Sequence, residues 1–276
     1  MRVRGGRRPF GVRVVAVALP LLWSFVVPAA QETALTPVEK AEFLRTARVI
    51  RGRPIGIGVT QPWRLTLTDG RLTHDAAFNM ANEEAPMKRF DDGTFETNFV
   101  DAYRFNIAAY LLAELVGLGD AVPVTVERTW NSRRGSLTWW IEGAMSEGER
   151  LDQGLEPPDE AEWNRQMYRV RVFSNLVHDT DRNLGNMLIT DDWRIRMIDF
   201  TRAFRLWDKL PGEGDLDRCD RTLLDGLRTL TEEGLDERLG SYLTSSEIEA
   251  VIERRDLLVA HFERLIAERG EADVLY

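Results

Sequence analysis

The stretch NLVHDTDRNLGNMLITDDWRIRMIDFTRAF, residues 175–204, constrains the fold more than any other part of the chain. Met187, Leu188 and Ile189 make one short apolar run, Asp191-Asp192 marks a turn, and the chain returns through Ile195 and Met197 to Ile198-Asp199-Phe200. Two runs this short, joined by turn-forming residues, close as a β-hairpin. Such a hairpin brings Asn186, just before its first strand, and Asp199, just after its second, to the same end. Asp181 stands five positions ahead of Asn186, and Gly185 loosens the backbone beside it.

A carboxylate and an amide oxygen at one hairpin end suit a hard divalent cation that carries phosphates. A second carboxylate a short loop away suits an acceptor hydroxyl. The residues therefore point to phosphoryl transfer, with Asn186 and Asp199 as metal ligands and Asp181 orienting or deprotonating the acceptor. Asp179 is an alternative carboxylate for that last role. His178 is expected to make a structural hydrogen bond, and Arg182 to brace the loop. Asp and Asn serve ordinary turns as well, but here three polar side chains fall at catalytic spacing.

This segment resembles the atypical branch of the kinase fold: phosphatidylinositol 3- and 4-kinases, HipA-type toxin kinases and secretory-pathway kinases of the Golgi casein kinase type. Asp181, Arg182 and Asn186 match a D-R-x-x-x-N loop, and Ile198-Asp199-Phe200 matches an I-D-x metal motif. With decreasing strength the resemblance extends over residues 52–205. It implies ATP with Mg or Mn as cofactors, and a hydroxyl on a protein, lipid or small molecule as acceptor.

The first half is expected to supply a small sheet with one long helix. An amphipathic helix over residues 36–48 leads to Ile55, Ile57 and Val59, which alternate with glycines as a strand. Leu65 and Leu67, the Asp69-Gly70 turn and a return strand to Phe78 complete a meander. Residues 82–96 read as a charged, mobile stretch. Phe99, Tyr103, Ile107, Tyr110, Leu111 and Leu115 then fall at helical spacing, and two strands follow over residues 122–130 and 136–141. After Pro157-Pro158 the second half is helical, with Trp163, Met167, Val170, Ser174 and Val177 on one face and further helices over residues 223–230 and 244–269. The expected class is α+β and bilobal: an N-terminal helical extension at 31–50, a β-rich N-lobe at 51–145 and a mainly helical C-lobe at 146–276.

The N-lobe departs from the kinase pattern. Where the secreted kinases carry F-K-P this chain has Phe78-Asn79-Met80, and where their helix reads E-I-A-A-F it has Asn106-Ile107-Ala108-Ala109-Tyr110. Losing lysine and glutamate together strands neither charge. Arg64 resembles a lysine of the same kinases and is the substitute cation of choice, with Lys88 and Arg89 as alternatives. Gly56 and Gly58 are placed to bring backbone N–H groups to phosphates. Trp139 and Trp140 are expected to be structural; the alternative is that one packs in the core and the other walls the nucleotide pocket.

Residues 1–30 carry five arginines and no acid ahead of an apolar run of about 14 residues, with Ala29-Ala30 closing it; that is the pattern of a cleaved export signal, too short for a stable membrane span. Without those arginines 31 of the 36 basic side chains face 45 acidic ones, a formal charge of −14, which argues against nucleic acid as a partner. The chain is expected to be periplasmic or secreted. Cys219 is its one cysteine, so no intrachain disulfide can form and stability must come from the core.

Overall fold

The computed structural model describes residues 35–56, 61–90 and 92–276. The expected export signal at 1–30 lies outside them. Among the described residues no helix is long and apolar enough to cross a membrane.

Helix α1 (Pro37–Thr46) opens with a reciprocal cap: Glu39 N–H donates to Thr36 Oγ1 at 3.3 Å, and Thr36 N–H to the Glu39 carboxylate at 2.8 Å. Strands β1 (Arg48–Pro54), β2 (Trp63–Thr68) and β3 (Thr73–Asn79) follow as a meander. The first strand therefore lies earlier than its apolar alternation suggests. As an exposed edge strand it is held by its ladder to β2 and needs no apolar face, so Arg48, Arg51 and Arg53 are tolerated along it. Ile55 and Gly56 fall in the β1–β2 connection, and Ile57, Gly58 and Val59 lie outside the described residues.

The stretch expected to be mobile is instead a two-stranded hairpin, β4 (Asn82–Arg89) with β5 (Phe95–Ala102). Its charged side chains hide the alternation, while its ends bury Phe99 and Asp101. Phe99 thus belongs to a strand, and α2 runs only from Arg104 to Leu115. Strands β6 (Thr125–Trp130) and β7 (Arg133–Trp139) turn through Asn131 and Ser132, with φ of 50° and 61°, the mirror-image turn that matches strand twist. The five-stranded antiparallel sheet has the order β1-β2-β3-β7-β6. At Gly135 a Cβ would sit 2.4 Å from the Asn79 carbonyl oxygen, so β7 can cross β3 there only as glycine. Helices α1 and α2 cover β6 and β7. Leu65, Leu67, Phe78 and Leu137 of the sheet and Phe105 and Leu112 of α2 are fully buried, each worth about 1.5–3 kcal/mol of apolar transfer.

Beyond this sheet the chain is mainly helical: β8 (Met145–Ser146), α3 (Glu147–Asp152), α4 (Glu160–Leu176), β9 (Met187–Ile189), β10 (Ile195–Met197), α5 (Arg221–Thr229), α6 (Glu232–Leu239), α7 (Ser245–Arg269) and α8 (Glu271–Val274). The β9–β10 hairpin forms in the expected register, Met187 opposite Met197, and gains β8 as a third strand. Helix α7 packs against α4, α5 and α6. Its Arg254 is fully buried and donates to the carbonyls of Leu176, Arg205 and Trp207 at 2.7–2.8 Å. The architecture is α+β, sheet-rich toward the N-terminus and helical toward the C-terminus.

Candidate active site

Helix α4 ends at Leu176, and His178, in the left-handed region at φ 45°, swings the chain into the loop that carries Asp179 and Asp181. The two carboxylates have different surroundings. The Asp179 side chain is fully buried, pairs with Arg182 and accepts the Asp181 N–H at 3.0 Å. Asp181 is partly exposed, and its carboxylate receives only Asn183 Nδ2 at 3.2 Å. Asp179 therefore organises the loop and Asp181 is the carboxylate that solvent and a ligand can reach.

Arg182 joins three segments. Its Nη1 donates to the Asn186 carbonyl at 2.6 Å and the Ile198 carbonyl at 2.7 Å, and its guanidinium lies 4.3 Å over the Phe200 ring. Asn186 closes a short 3-10 turn, Leu184–Asn186, and donates Nδ2 to the Asp181 carbonyl at 2.9 Å. With its nitrogen engaged, the amide keeps its oxygen as an acceptor. Ile198 N–H donates to the Asn186 carbonyl at 3.0 Å, so the hairpin sets Asn186 beside the residue preceding Asp199. The structure thus sets the Asp181 loop, the Asn186 turn and the segment entering Asp199 side by side.

Asp199 has φ 53°, a conformation that costs energy for a residue with a side chain and is held here by its neighbours. Its Oδ1 accepts the Thr201 hydroxyl at 3.0 Å. Burial pushes its pKa above the usual carboxylate range against the bonds from Thr201, with Asp101 pushing the same way and Arg182 opposing. Phe200 N–H donates to Asn106 Oδ1 at 2.6 Å, and Asn106 Nδ2 to Ser136 Oγ at 3.1 Å. Position 106, on α2, is therefore spent on fixing the residue after Asp199.

Asp101, at the end of β5, was not singled out by the sequence. It is 9% exposed, and its Oδ1 is buried without a hydrogen-bond partner. Ala102 N–H donates to the Thr201 carbonyl at 2.9 Å, which lays β5 along the segment after Asp199. Burial raises the Asp101 pKa, while the Thr201 hydroxyl, Arg202 and Lys88 pull it back. The signal that would have found it is the period of two shared with Phe99, masked by the helical spacing that continues into α2.

The remaining expected residues lie elsewhere. Asn79 is buried and its Oδ1 accepts Ala81 N–H at 2.8 Å. Arg64 binds Asp75 through Nε at 2.5 Å, reaches Glu142 at 3.3 Å and lies 4.2 Å over Trp140; none of these partners belongs to the Asp181–Asn186–Asp199 group. Trp139 stacks on His74 at 3.8 Å and meets Phe43 edge-on, while Trp140 lies under Arg64. Gly56, at φ 77° with open space where a Cβ would stand, is glycine for its backbone conformation; Gly58 lies outside the described residues. Lys88 pairs with Glu83 at 2.6 Å.

Among the described residues no three His, Cys, Asp or Glu side chains gather to hold a metal by themselves. The donors beside Asp199 are nevertheless all oxygens, and the orphaned Asp101 Oδ1 is a buried acceptor without a donor. That set fits Mg or Mn, which commonly take one or two carboxylates and complete their shell with substrate phosphates and water.

No family model and no curated protein matches the chain. Solved structures do. A hydra Fam20, solved with sugar, superposes with a TM-score of 0.64 at 13% identity, over 89% of this chain and 93% of that one. A Golgi casein kinase gives 0.61 at 13% identity over 87% of this chain and 77% of that one, and the Golgi casein kinase with Mn/ADP bound gives 0.58 over 87% and 78%. At such low identity the likeness speaks for the fold: the chain has the atypical kinase-like fold.

Proposed function

We propose that this protein is an exported atypical kinase, with the leader, extension and lobe boundaries given above, that transfers the γ-phosphoryl group of ATP to a hydroxyl acceptor. The observation that carries the reading is the single guanidinium of Arg182, which ties the Asp181 loop, the Asn186 turn and the Asp199 strand into one unit. The Mn and ADP held by a Golgi casein kinase of the same fold support the cofactor choice.

Asp199 and Asn186 would hold Mg or Mn, which supplies neutralisation of phosphate charge when bound. Asp181, the accessible carboxylate, orients the acceptor hydroxyl and takes its proton as the new P–O bond forms and the bond to ADP breaks. Asp179 and Arg182 hold that geometry without touching the reacting atoms. The acceptor is a hydroxyl on a protein, lipid or small molecule.

The test is label transfer from γ-labelled ATP with Mg or Mn, alongside thermal stabilisation of the purified protein by nucleotide and metal. Transfer that disappears in Asp199→Ala and Asp181→Ala supports the reading. Full activity in Asp199→Ala would overturn the assigned metal site.

A second reading, a pseudokinase that binds nucleotide or a partner without transfer, is favoured by Asn79, whose buried amide oxygen is committed to Ala81 where a phosphate-binding lysine would stand. Nucleotide stabilisation without γ transfer would identify it. Transfer of α label instead would identify nucleotidyl transfer on the same fold.

A further inference from the structure

Asp101 is a carboxylate that the protein itself does not satisfy. Its Oδ1 is buried and unpartnered, and the residue is 9% exposed. Buried polar groups are rarely left so, and a carboxylate pays more for it than a neutral group. Its ordinary structural uses are absent. It does not cap α2, whose N-cap is Tyr103 and has no side-chain hydrogen bond. Its neighbouring cations are engaged elsewhere: Lys88 with Glu83 at 2.6 Å, Arg202 with Glu96 at 2.5 Å, and Arg205 with Glu96 at 2.8 Å and the Val100 carbonyl at 2.7 Å.

What Asp101 does face is the metal segment. The bond from Ala102 N–H to the Thr201 carbonyl fixes its backbone there at 2.9 Å, and Asp199 and Asp101 act on each other as like charges. The Thr201 hydroxyl also lies within the reach of both, but it has one proton, which it gives to Asp199 at 3.0 Å. One hydroxyl proton between the two carboxylates leaves Asp101 Oδ1 without a donor. The obvious alternative acid, on α2, is not available, because position 106 is an asparagine whose amide is used by Phe200 and Ser136.

We propose that Asp101 is a second carboxylate ligand of the divalent metal at the Asp199 site, supplied from the β4–β5 hairpin. This rests on the kinase reading above, and it makes that hairpin part of the metal site.

The test is Mn²⁺ binding to the full chain, followed by electron paramagnetic resonance in the presence of ADP, for the wild type, Asp101→Asn and Asp199→Asn. Loss of a direct ligand should weaken Mn²⁺ in Asp101→Asn by more than the roughly 10–100-fold typical of an outer-shell partner. The metal-free melting temperature of that variant should stay level or rise, since the repulsion with Asp199 is removed. Wild-type Mn²⁺ affinity in Asp101→Asn, with binding lost in Asp199→Asn, overturns the inference and leaves the kinase reading intact. No Mn²⁺ binding by the wild type overturns both. If Asp101→Asn and Asp101→Glu both fail to fold without metal, Asp101 is a structural residue and the inference falls.

Discussion

Asn106 on α2 accepts the backbone N–H of Phe200 at 2.6 Å, so the helix is fastened by a side-chain amide to the residue that follows Asp199. Asn106→Ala leaves the Phe200 N–H and the Ser136 hydroxyl buried without that partner. A loss of about 1–3 kcal/mol in urea denaturation is expected. Nucleotide-dependent stabilisation should fall with it, because the backbone beside Asp199 is no longer held.

The Asp179–Arg182 pair and Asp181 should differ in what mutation costs. Arg182→Ala strips the fully buried Asp179 side chain of its counter-charge and breaks the bonds to Asn186 and Ile198, for an expected loss of about 3–5 kcal/mol. Asp181→Asn, at a partly exposed position, should leave the melting temperature nearly unchanged while abolishing label transfer. Equal stability losses in the two variants would contradict the division of roles.

Arg104 of α2 meets Glu247 of α7 fork to fork, Nη1 to Oε2 at 2.8 Å and Nη2 to Oε1 at 2.9 Å, and also donates to the Tyr242 carbonyl at 2.7 Å. Glu247 is buried and accepts the Thr244 N–H at the start of α7. Arg104→Ala should cost about 3 kcal/mol in a chemical melt, and Arg104→Lys, which keeps the charge but not the fork, should recover only part of it.

His178 gives a pH dependence. Burial, with help from Arg254 and Arg205, holds its pKa below the ordinary 6.5. A lowered histidine pKa means that the unfolded chain takes the proton first, so its contribution to stability is present above about pH 6.5 and is lost as pH falls through the folded value. His74, lowered by burial, acts with the same sign. His178→Asn keeps a residue that tolerates the left-handed backbone and removes one titration, so its urea midpoint should fall less steeply between about pH 7 and about pH 5. An unchanged slope would place the proton uptake elsewhere.

The β9–β10 hairpin was legible because its apolar runs are short, paired and separated by turn residues, and α4 and α7 because capping and apolar period agree. The β4–β5 hairpin was not. Glu83, Glu84, Lys88, Arg89 and Glu96 give it the composition of a loop, while the forces that hold it are backbone pairing and contacts with residues 201–205, 99 to 106 positions away. Asp101 was hidden for the same reason. Helix α6 was missed because only Leu235 and Leu239 mark its buried face. Arg64 shows the converse: spacing gave its strand, but its partners Asp75 and Glu142 come from other segments that spacing does not reveal.

Arg254 has a consequence for the order of assembly. Its bond to the Leu176 carbonyl spans 78 residues of chain, and its bonds to Arg205 and Trp207 grip the far side of the same segment. A nascent chain stopped short of α7 would already contain Asp181, Asn186 and Asp199 yet lack the buried cation that gathers the carbonyls flanking them. Closure of so long a loop comes late in folding. The loop that carries Asp181, Asn186 and Asp199 is thus gathered at its two flanks only once α7 has docked.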